Sequence, residues 1–267
     1  MTEVLLVERE GPITWFKLNR PKVLNCLNRE LLRALIKACE EVAQDKSTRV
    51  VIITGAGSKV FCAGADLAER KGMTEGEVLD YLVLIQRTML AIEQLPKPVI
   101  AAINGSAFGG GTELALSCDL RMMTEDASLR LTEVKLGIIP GAGGTQRLPR
   151  LIGKSRAKEL ILTARPLPAA EGHSIGLVHK LVPAGDKDKE WHTELLDQAR
   201  AWAKEIATAA PLSLKQAKFA IDNGADRDLS AGLALETRAY IELVNTKDRL
   251  EGLAAFAEKR DPVYTGE

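Results

Sequence analysis

Two apolar runs constrain this chain more than any other feature: RVVIITGAG at 49–57 and VIAAING at 99–105. Neither alternates apolar with polar residues, so both read as fully buried strands closed by glycine turns. Around them a strand–strand–helix rhythm recurs. EVLLVERE and ITWFKLNR flank Gly11-Pro12 as a hairpin, and NRELLRALIKACEEVAQD follows with Leu31, Leu32, Leu35, Cys39 and Val42 at helical spacing. A short helix opens at Asp66 as N-cap with Glu69 in capping-box position, and Thr74 and Glu77 repeat that spacing before a long helix stopped by Pro96 and Pro98. DLRMMTEDASLRLTEV reads as two short strands around a turn, and GIIPGAGGTQRLPRLIG as a glycine-rich turn entering a short helix. From Trp191 onward four amphipathic segments in succession read as helix. The expected division is an α/β core over 1–190 and a helical region over 191–267 suited to packing on partners.

Charge and composition exclude several functions. Lys+Arg and Asp+Glu stand at 36 each and aromatics at 4 %. That leaves neither the basic excess nor the stacking platforms of a nucleic-acid binder. Cys26, Cys39, Cys62 and Cys118 form no C-x-x-C, which fits reduced thiols in a cytoplasmic protein. His173, His179 and His192 show no metal-ligand spacing. No apolar run reaches the roughly 18–20 residues of a membrane span, and the opening MTEVLLVEREGPITWFKLNRP reads as strand, turn and strand, not as a signal or transit sequence.

The stretch AFGGGTELAL at 107–116 needs a separate reason, because three glycines at a strand-to-helix junction are costly. Gly105, Gly109 and Gly111 resemble a dehydrogenase dinucleotide loop, but Tyr81, Tyr240 and Tyr264 have no lysine four residues on. Gly153-Lys154-Ser155 has Leu148 where a P-loop needs glycine, and Ser106 has Asn104 where a nucleophile elbow needs one. The remaining reading is an oxyanion site, in which bare glycines let a carbonyl oxygen reach unpaired N–H groups at a helix start. CAGADL at 62–67 offers a second such junction, with the Ala65 N–H free ahead of the Asp66 cap. Two acids lie close by in sequence pattern. Glu113 follows the glycines, and strand alternation puts Glu133 on the buried face with Leu129 and Leu131, where its pKa should rise toward that of a neutral-pH proton donor. Taken alone, Glu113 would also serve as a first-turn acid complementing a helix dipole.

Together, FCAGADL, GSAFGGGTELALSCDLR and TEVKLGIIPGAGGTQRLPRLIG resemble the diagnostic blocks of the crotonase, or enoyl-CoA hydratase, family, and TKDRLEGLAAFAEKRDPVYTGE resembles its C-terminal signature. The resemblance runs from about residue 3 to the last residue. It implies a crotonase-type spiral of β-β-α repeats followed by a helical trimerisation region, and a homotrimer or a hexamer of paired trimers. It implies a thioester oxygen held by the N–H groups of Ala65 and Gly110, with Glu113 activating water and Glu133 supplying a proton to C2. Retention of both acids favours hydration of a 2-enoyl-CoA, or the reverse dehydration, over isomerisation. The substrate is then an acyl-CoA, with no separate cofactor and no metal.

By the same resemblance, Ala63, Asp66 and Leu67 border the pantetheine and adenine end of CoA, Gly141 shapes the wall near the reacting atoms, and Phe256 and Lys259 complete a neighbour's CoA site. GADLAERKGM and TKDRLEGLAAFAEKR are similar to the methylglutaconyl-CoA hydratases of leucine degradation. That implies 3-methylglutaconyl-CoA as substrate, with Arg70 and Lys71 as cations for its distal carboxylate. The alternatives are a straight-chain enoyl-CoA hydratase of fatty-acid β-oxidation and an RNA-binding member of the family. Arg29, Arg33 and Lys37 share their helix with as many acids, which speaks against the latter.

Overall fold

A computed structural model describes residues 3–185 and 191–267. The chain opens with the expected hairpin, β1 (Leu5–Glu10) and β2 (Ile13–Leu18), followed by α1 (Arg29–Gln44). Three β-β units follow. These are β3 (Val50–Gly55) with β4 (Val60–Cys62), then β5 (Val99–Ile103) with β6 (Ser106–Phe108), then β7 (Leu120–Thr124) with β8 (Ser128–Arg130). Helices α2 (Leu67–Arg70) and α3 (Glu75–Glu93) close the first unit, α4 (Gly110–Leu116) the second, and α5 (Gly144–Ile152) and α6 (Lys154–Thr163) the third. A short β9 (Leu167–Pro168), α7 (Ala169–Ser174) and β10 (Lys180–Val182) lead to α8 (Thr193–Ala207), α9 (Pro211–Gly224), α10 (Leu229–Ile241) and α11 (Lys247–Glu258).

The first strand of each unit joins a six-stranded sheet, ordered β1-β2-β3-β5-β7-β10, and the second joins a four-stranded sheet, ordered β4-β6-β8-β9. The chain therefore steps between two sheets once per turn of a spiral, with parallel pairing from β2 to β10 in the large sheet and from β4 to β8 in the small one. This explains the unbroken apolar runs. Val51, Ile53, Val99, Ala101 and Ile103 face the main core, whereas Val50, Ile52, Ile100 and Ala102 face a second core on the opposite side of the sheet. Both faces being covered, both sets must be apolar.

The second core is closed by α8 through Leu195, Ala199, Ala203 and Ala207. The helical region expected from Trp191 thus begins with a helix that covers the sheet, and the exposed apolar faces start beyond it. Leu229, Leu233, Tyr240, Leu250, Leu253 and Phe256 all lie exposed on α10 and α11. The histidines have structural surroundings: His192 caps α8 by accepting from the Leu195 N–H at 3.1 Å, and His179 Nδ1 accepts from the Arg121 N–H at 3.2 Å.

Two local expectations change. Asp66 caps α2 by accepting from the N–H groups of Ala68 and Glu69, both at 3.2 Å, but Glu69 does not complete the box. Its carboxylate turns away to the Arg29 N–H at 3.0 Å, tying α2 to α1. Thr74 and Glu77 do form the reciprocal box at the start of α3. Glu133 is not on a strand. The small sheet's β8 ends at Arg130, and Glu133 opens a 3₁₀ turn over Glu133–Leu136. It is buried, as expected, but by the fold of that turn and not by strand alternation.

Candidate active site

Each of the three consecutive glycines answers a different demand. Gly109 has φ 49° and ψ −121°, a conformation closed to residues with a side chain, and a Cβ there would sit 2.9 Å from Glu133 Oε1. A Cβ on Gly111 would sit 2.1 Å from the Cys62 carbonyl oxygen, so only glycine lets α4 press against β4. Gly110 opens α4, and its N–H has no partner within the helix. A Cβ on Gly110 would lie 3.6 Å from the Ala65 nitrogen, so the two junctions expected to supply donors converge on one spot.

Ala65 is held there from both sides. The Leu27 N–H donates to Gly64 O at 2.8 Å, and the Asp66 N–H donates to Leu27 O at 3.1 Å. The Ala65 N–H between them has no acceptor among the described residues. Asp66 has both carboxylate oxygens engaged, one on the α2 cap and one on Arg20 at 2.9 Å. Its side chain fixes the loop. Thr112 docks α4 onto the small sheet by donating to Ala107 O at 2.9 Å and accepting from the Arg130 N–H at 3.1 Å.

Glu113 is buried in the first turn of α4, but its carboxylate serves another helix. Oε1 accepts from the Ala142 N–H at 2.8 Å and the Gly144 N–H at 2.7 Å, at the start of α5. Burial nevertheless pushes the acid up to about 7, helped by the neighbouring Glu133 charge and opposed by those two N–H groups and by Arg147. Glu133 is also raised by burial, and its Oε2 has no hydrogen-bond partner. Both acids are thus shifted toward their protonated forms, and the Glu133 charge adds to the burial of Glu113. The site therefore offers two converging N–H donors beside two buried acids of raised pKa. That combination can stabilise an enolate oxygen while moving protons at adjacent carbons.

The enoyl-CoA hydratase/isomerase family profile matches residues 8–267. The chain belongs to that family. YngF of Bacillus subtilis, named only to the level of enoyl-CoA hydratase/isomerase, is 49 % identical over 263 residues, 98 % of each chain. Mouse mitochondrial methylglutaconyl-CoA hydratase is 44 % identical over 262 residues, covering 98 % of this chain and 82 % of the mouse protein. The crystal structure of an enoyl-CoA hydratase from Bacillus anthracis superposes with a TM-score of 0.94 at 50 % identity, covering 99 % of this chain and all of the other. The protein is thus an enzyme of the enoyl-CoA hydratase type with the crotonase fold.

The remaining expected site residues of this hydratase-family chain fall into three groups. Ala63 stands two residues before the Ala65 donor, its N–H donating to Leu24 O at 3.0 Å, and Gly141 stands next to Ala142, where a Cβ on the glycine would meet Leu82 Cδ1 at 2.7 Å. Leu67, Arg70 and Lys71 follow on α2. Leu67 and Lys71 are exposed, and the Arg70 guanidinium lies 5.7 Å from the centre of the Tyr81 ring. Phe256 and Lys259 sit at the end of α11, and Phe256 is 87 % exposed.

Three residues absent from the sequence reading prove close to the chemistry. Arg147 donates from Nη1 to Ala142 O at 2.9 Å and forks onto Glu93 at 2.9 and 2.7 Å, while Gln86 donates to Gly141 O at 2.8 Å. Arg147 stands inside the quoted block PGAGGTQRLP, so the glycine-rich entry to α5 carried a signal. Nothing local marks Gln86 and Glu93. A cavity of about 770 Å³ opens between the 3₁₀ turn, α5 and α6, with Val134, Ile139 and Ile161 among its walls. Among the described residues, no group of three or more His, Cys, Asp and Glu is placed to hold a metal, and no helix is long and apolar enough to cross a membrane.

Proposed function

We propose that this enzyme adds water across the double bond of a 2-enoyl-CoA, and that its substrate is 3-methylglutaconyl-CoA, giving 3-hydroxy-3-methylglutaryl-CoA in leucine or isovalerate metabolism. The observation that carries the hydration is the pair of buried acids beside two unpaired N–H groups. The thioester oxygen accepts from the Ala65 and Gly110 N–H groups, and each such donor is worth about 2.7–4 kcal/mol in a transition state. Water held between the acids attacks C3 and gives one proton to the Glu113 carboxylate. Protonated Glu133 gives its proton to C2 of the enolate. Glu133 is then reprotonated at the expense of Glu113, so one water is added per turnover. No cofactor enters beyond the CoA that the substrate carries.

The acyl group is supported by the likeness to the mouse methylglutaconyl-CoA hydratase. In this reading Ala63, Leu67 and the backbone at Asp66 border CoA, Gly141 shapes the wall beside the acyl group, and Arg70 or Lys71 meets the distal carboxylate. The bare apolar faces of α10 and α11 support a homotrimer, alone or paired into a hexamer, in which Phe256 and Lys259 reach a neighbour's CoA. The four free cysteines fit a reducing compartment such as the cytoplasm.

A substrate panel tests the acyl assignment. The kcat/KM for 3-methylglutaconyl-CoA should exceed that for crotonyl-CoA, and Arg70→Ala or Lys71→Ala should erase the preference for the carboxylated chain. A higher kcat/KM for crotonyl-CoA would keep the chemistry and assign a straight-chain substrate.

A further inference from the structure

Glu113 is held by backbone N–H groups, and a backbone donor is only as well placed as its loop. The loop over 141–144 carries three glycines, so its own conformational preference is weak. Two side chains from α3 fix it. Gln86 and Glu93, seven residues apart, lie on one stripe of α3. Gln86 donates to Gly141 O at 2.8 Å. Glu93 receives the fork of Arg147, whose remaining nitrogen donates to Ala142 O at 2.9 Å. The Arg147 side chain is only 15 % exposed and bends back over Gly143, where a Cβ would collide with Nη1 at 1.9 Å. Residue 142 is thus gripped at both ends of one peptide frame: its carbonyl by Arg147, its N–H by Glu113.

We infer that Arg147, buttressed by Glu93, is a positioning residue that holds the 142–144 backbone against the Glu113 carboxylate and so sets the working state of the acid pair. The planar guanidinium suits this task because it engages a carboxylate with two nitrogens and a carbonyl with a third, a geometry that lysine cannot reproduce. The cation acts in the same direction as the two N–H groups, since all three favour ionised Glu113 against the burial that opposes it. Removing Arg147 weakens all three influences together and raises the acid further. A loop that merely loosened and admitted water would lower it toward the ordinary carboxylate range. The sign of the change separates positioning from general structural damage.

This inference rests on the hydratase reading, so its test has one arm that needs no turnover. The titration of Glu113 is followed by carbon-13 NMR of labelled glutamate carboxyls in the intact protein, assigned with Glu113→Gln. The same variants are assayed for loss of enoyl-thioester absorbance across pH. In Arg147→Gln the Glu113 titration and the acidic limb of kcat both move to higher pH, and kcat falls by roughly 10²-fold, the scale of a misplaced catalytic group, with KM little changed. Arg147→Lys keeps a charge but not the fork, and shows a smaller upward shift with a similar fall in kcat. Arg150→Gln, one turn on and bonded to Asp226 and Gln146, changes neither. A Glu113 titration in Arg147→Gln that stays in place or moves down overturns the inference. If wild type turns over no enoyl thioester yet Glu113 shifts upward in Arg147→Gln, the hydratase reading fails and the positioning role stands.

Discussion

Replacing Glu113 by Gln should stabilise this protein at alkaline pH while it disables it. Burial raises the carboxyl from its ordinary value of 4.5 to about 7 in the folded chain, so folding favours its protonated form. At about 1.36 kcal/mol per pKa unit, holding Glu113 ionised in the native state costs about 3 kcal/mol. A raised folded-state pKa contributes stability that is complete below the unfolded value of 4.5 and is lost as pH rises to about 7. Gln carries no such penalty, and its amide oxygen can still accept from Ala142 and Gly144. Its NH₂ group needs a new partner and its acceptor is no longer charged, which takes back roughly 1–2 kcal/mol. The net gain expected above pH 7 is about 1–2 kcal/mol, or a few degrees in thermal midpoint for a chain of this size. The assay is thermal unfolding of wild type and variant from pH 5 to pH 8.5, with protein concentration fixed. The gap should widen between pH 5 and pH 7 and then stay level. A variant no more stable than wild type at pH 8, or a gap independent of pH, would refute the burial argument.

Other consequences are sharper for function. Because Glu113 must be ionised to take a proton from water and burial pushes it up to about 7, kcat/KM for hydration should rise as pH rises through that value, and the limb should vanish in Glu113→Gln. Gly109→Ala forces a side chain into a conformation with φ 49° and against the Glu133 carboxyl. It should cost about 1–3 kcal/mol of stability and lower kcat more than it raises KM, as read by steady-state kinetics. Phe256→Ala should raise KM for CoA thioesters and leave kcat near wild type. Sedimentation showing an unchanged assembly would tie that loss to CoA contact and not to subunit dissociation.

Much of the fold is legible in the sequence because its signals are local. The buried runs of β3 and β5, the apolar stripe of α1 and the four terminal helices all follow from pattern alone. What pattern could not reach is the pairing of the two sheets, which brings together strands separated by whole helices. The site divides in the same way. Ala65, Gly110 and Glu113 sit at glycine-rich junctions that can be read directly. Strand alternation predicts a buried Glu133 but not its cause, since the strand stops at Arg130 and a 3₁₀ turn delivers the carboxyl to Gly109. Glu69 has the spacing of a capping box, but the backbone of Arg29 competes for it, and such a partner cannot be seen locally. The Arg147–Glu93 fork joins positions 54 apart in the chain and leaves no trace in any short window.

The central claim is that Glu113 and Glu133 act as one unit on an enoyl thioester held by Ala65 and Gly110. The most direct measurement is the rate of absorbance loss of the conjugated thioester with wild type, Glu113→Gln, Glu133→Gln and the double variant. Each single change should lower kcat by about 10²–10⁴-fold, and the double variant should fall little further, because removing either acid breaks the unit. A single variant that retains wild-type turnover, or losses in the double variant that simply multiply, would contradict the account.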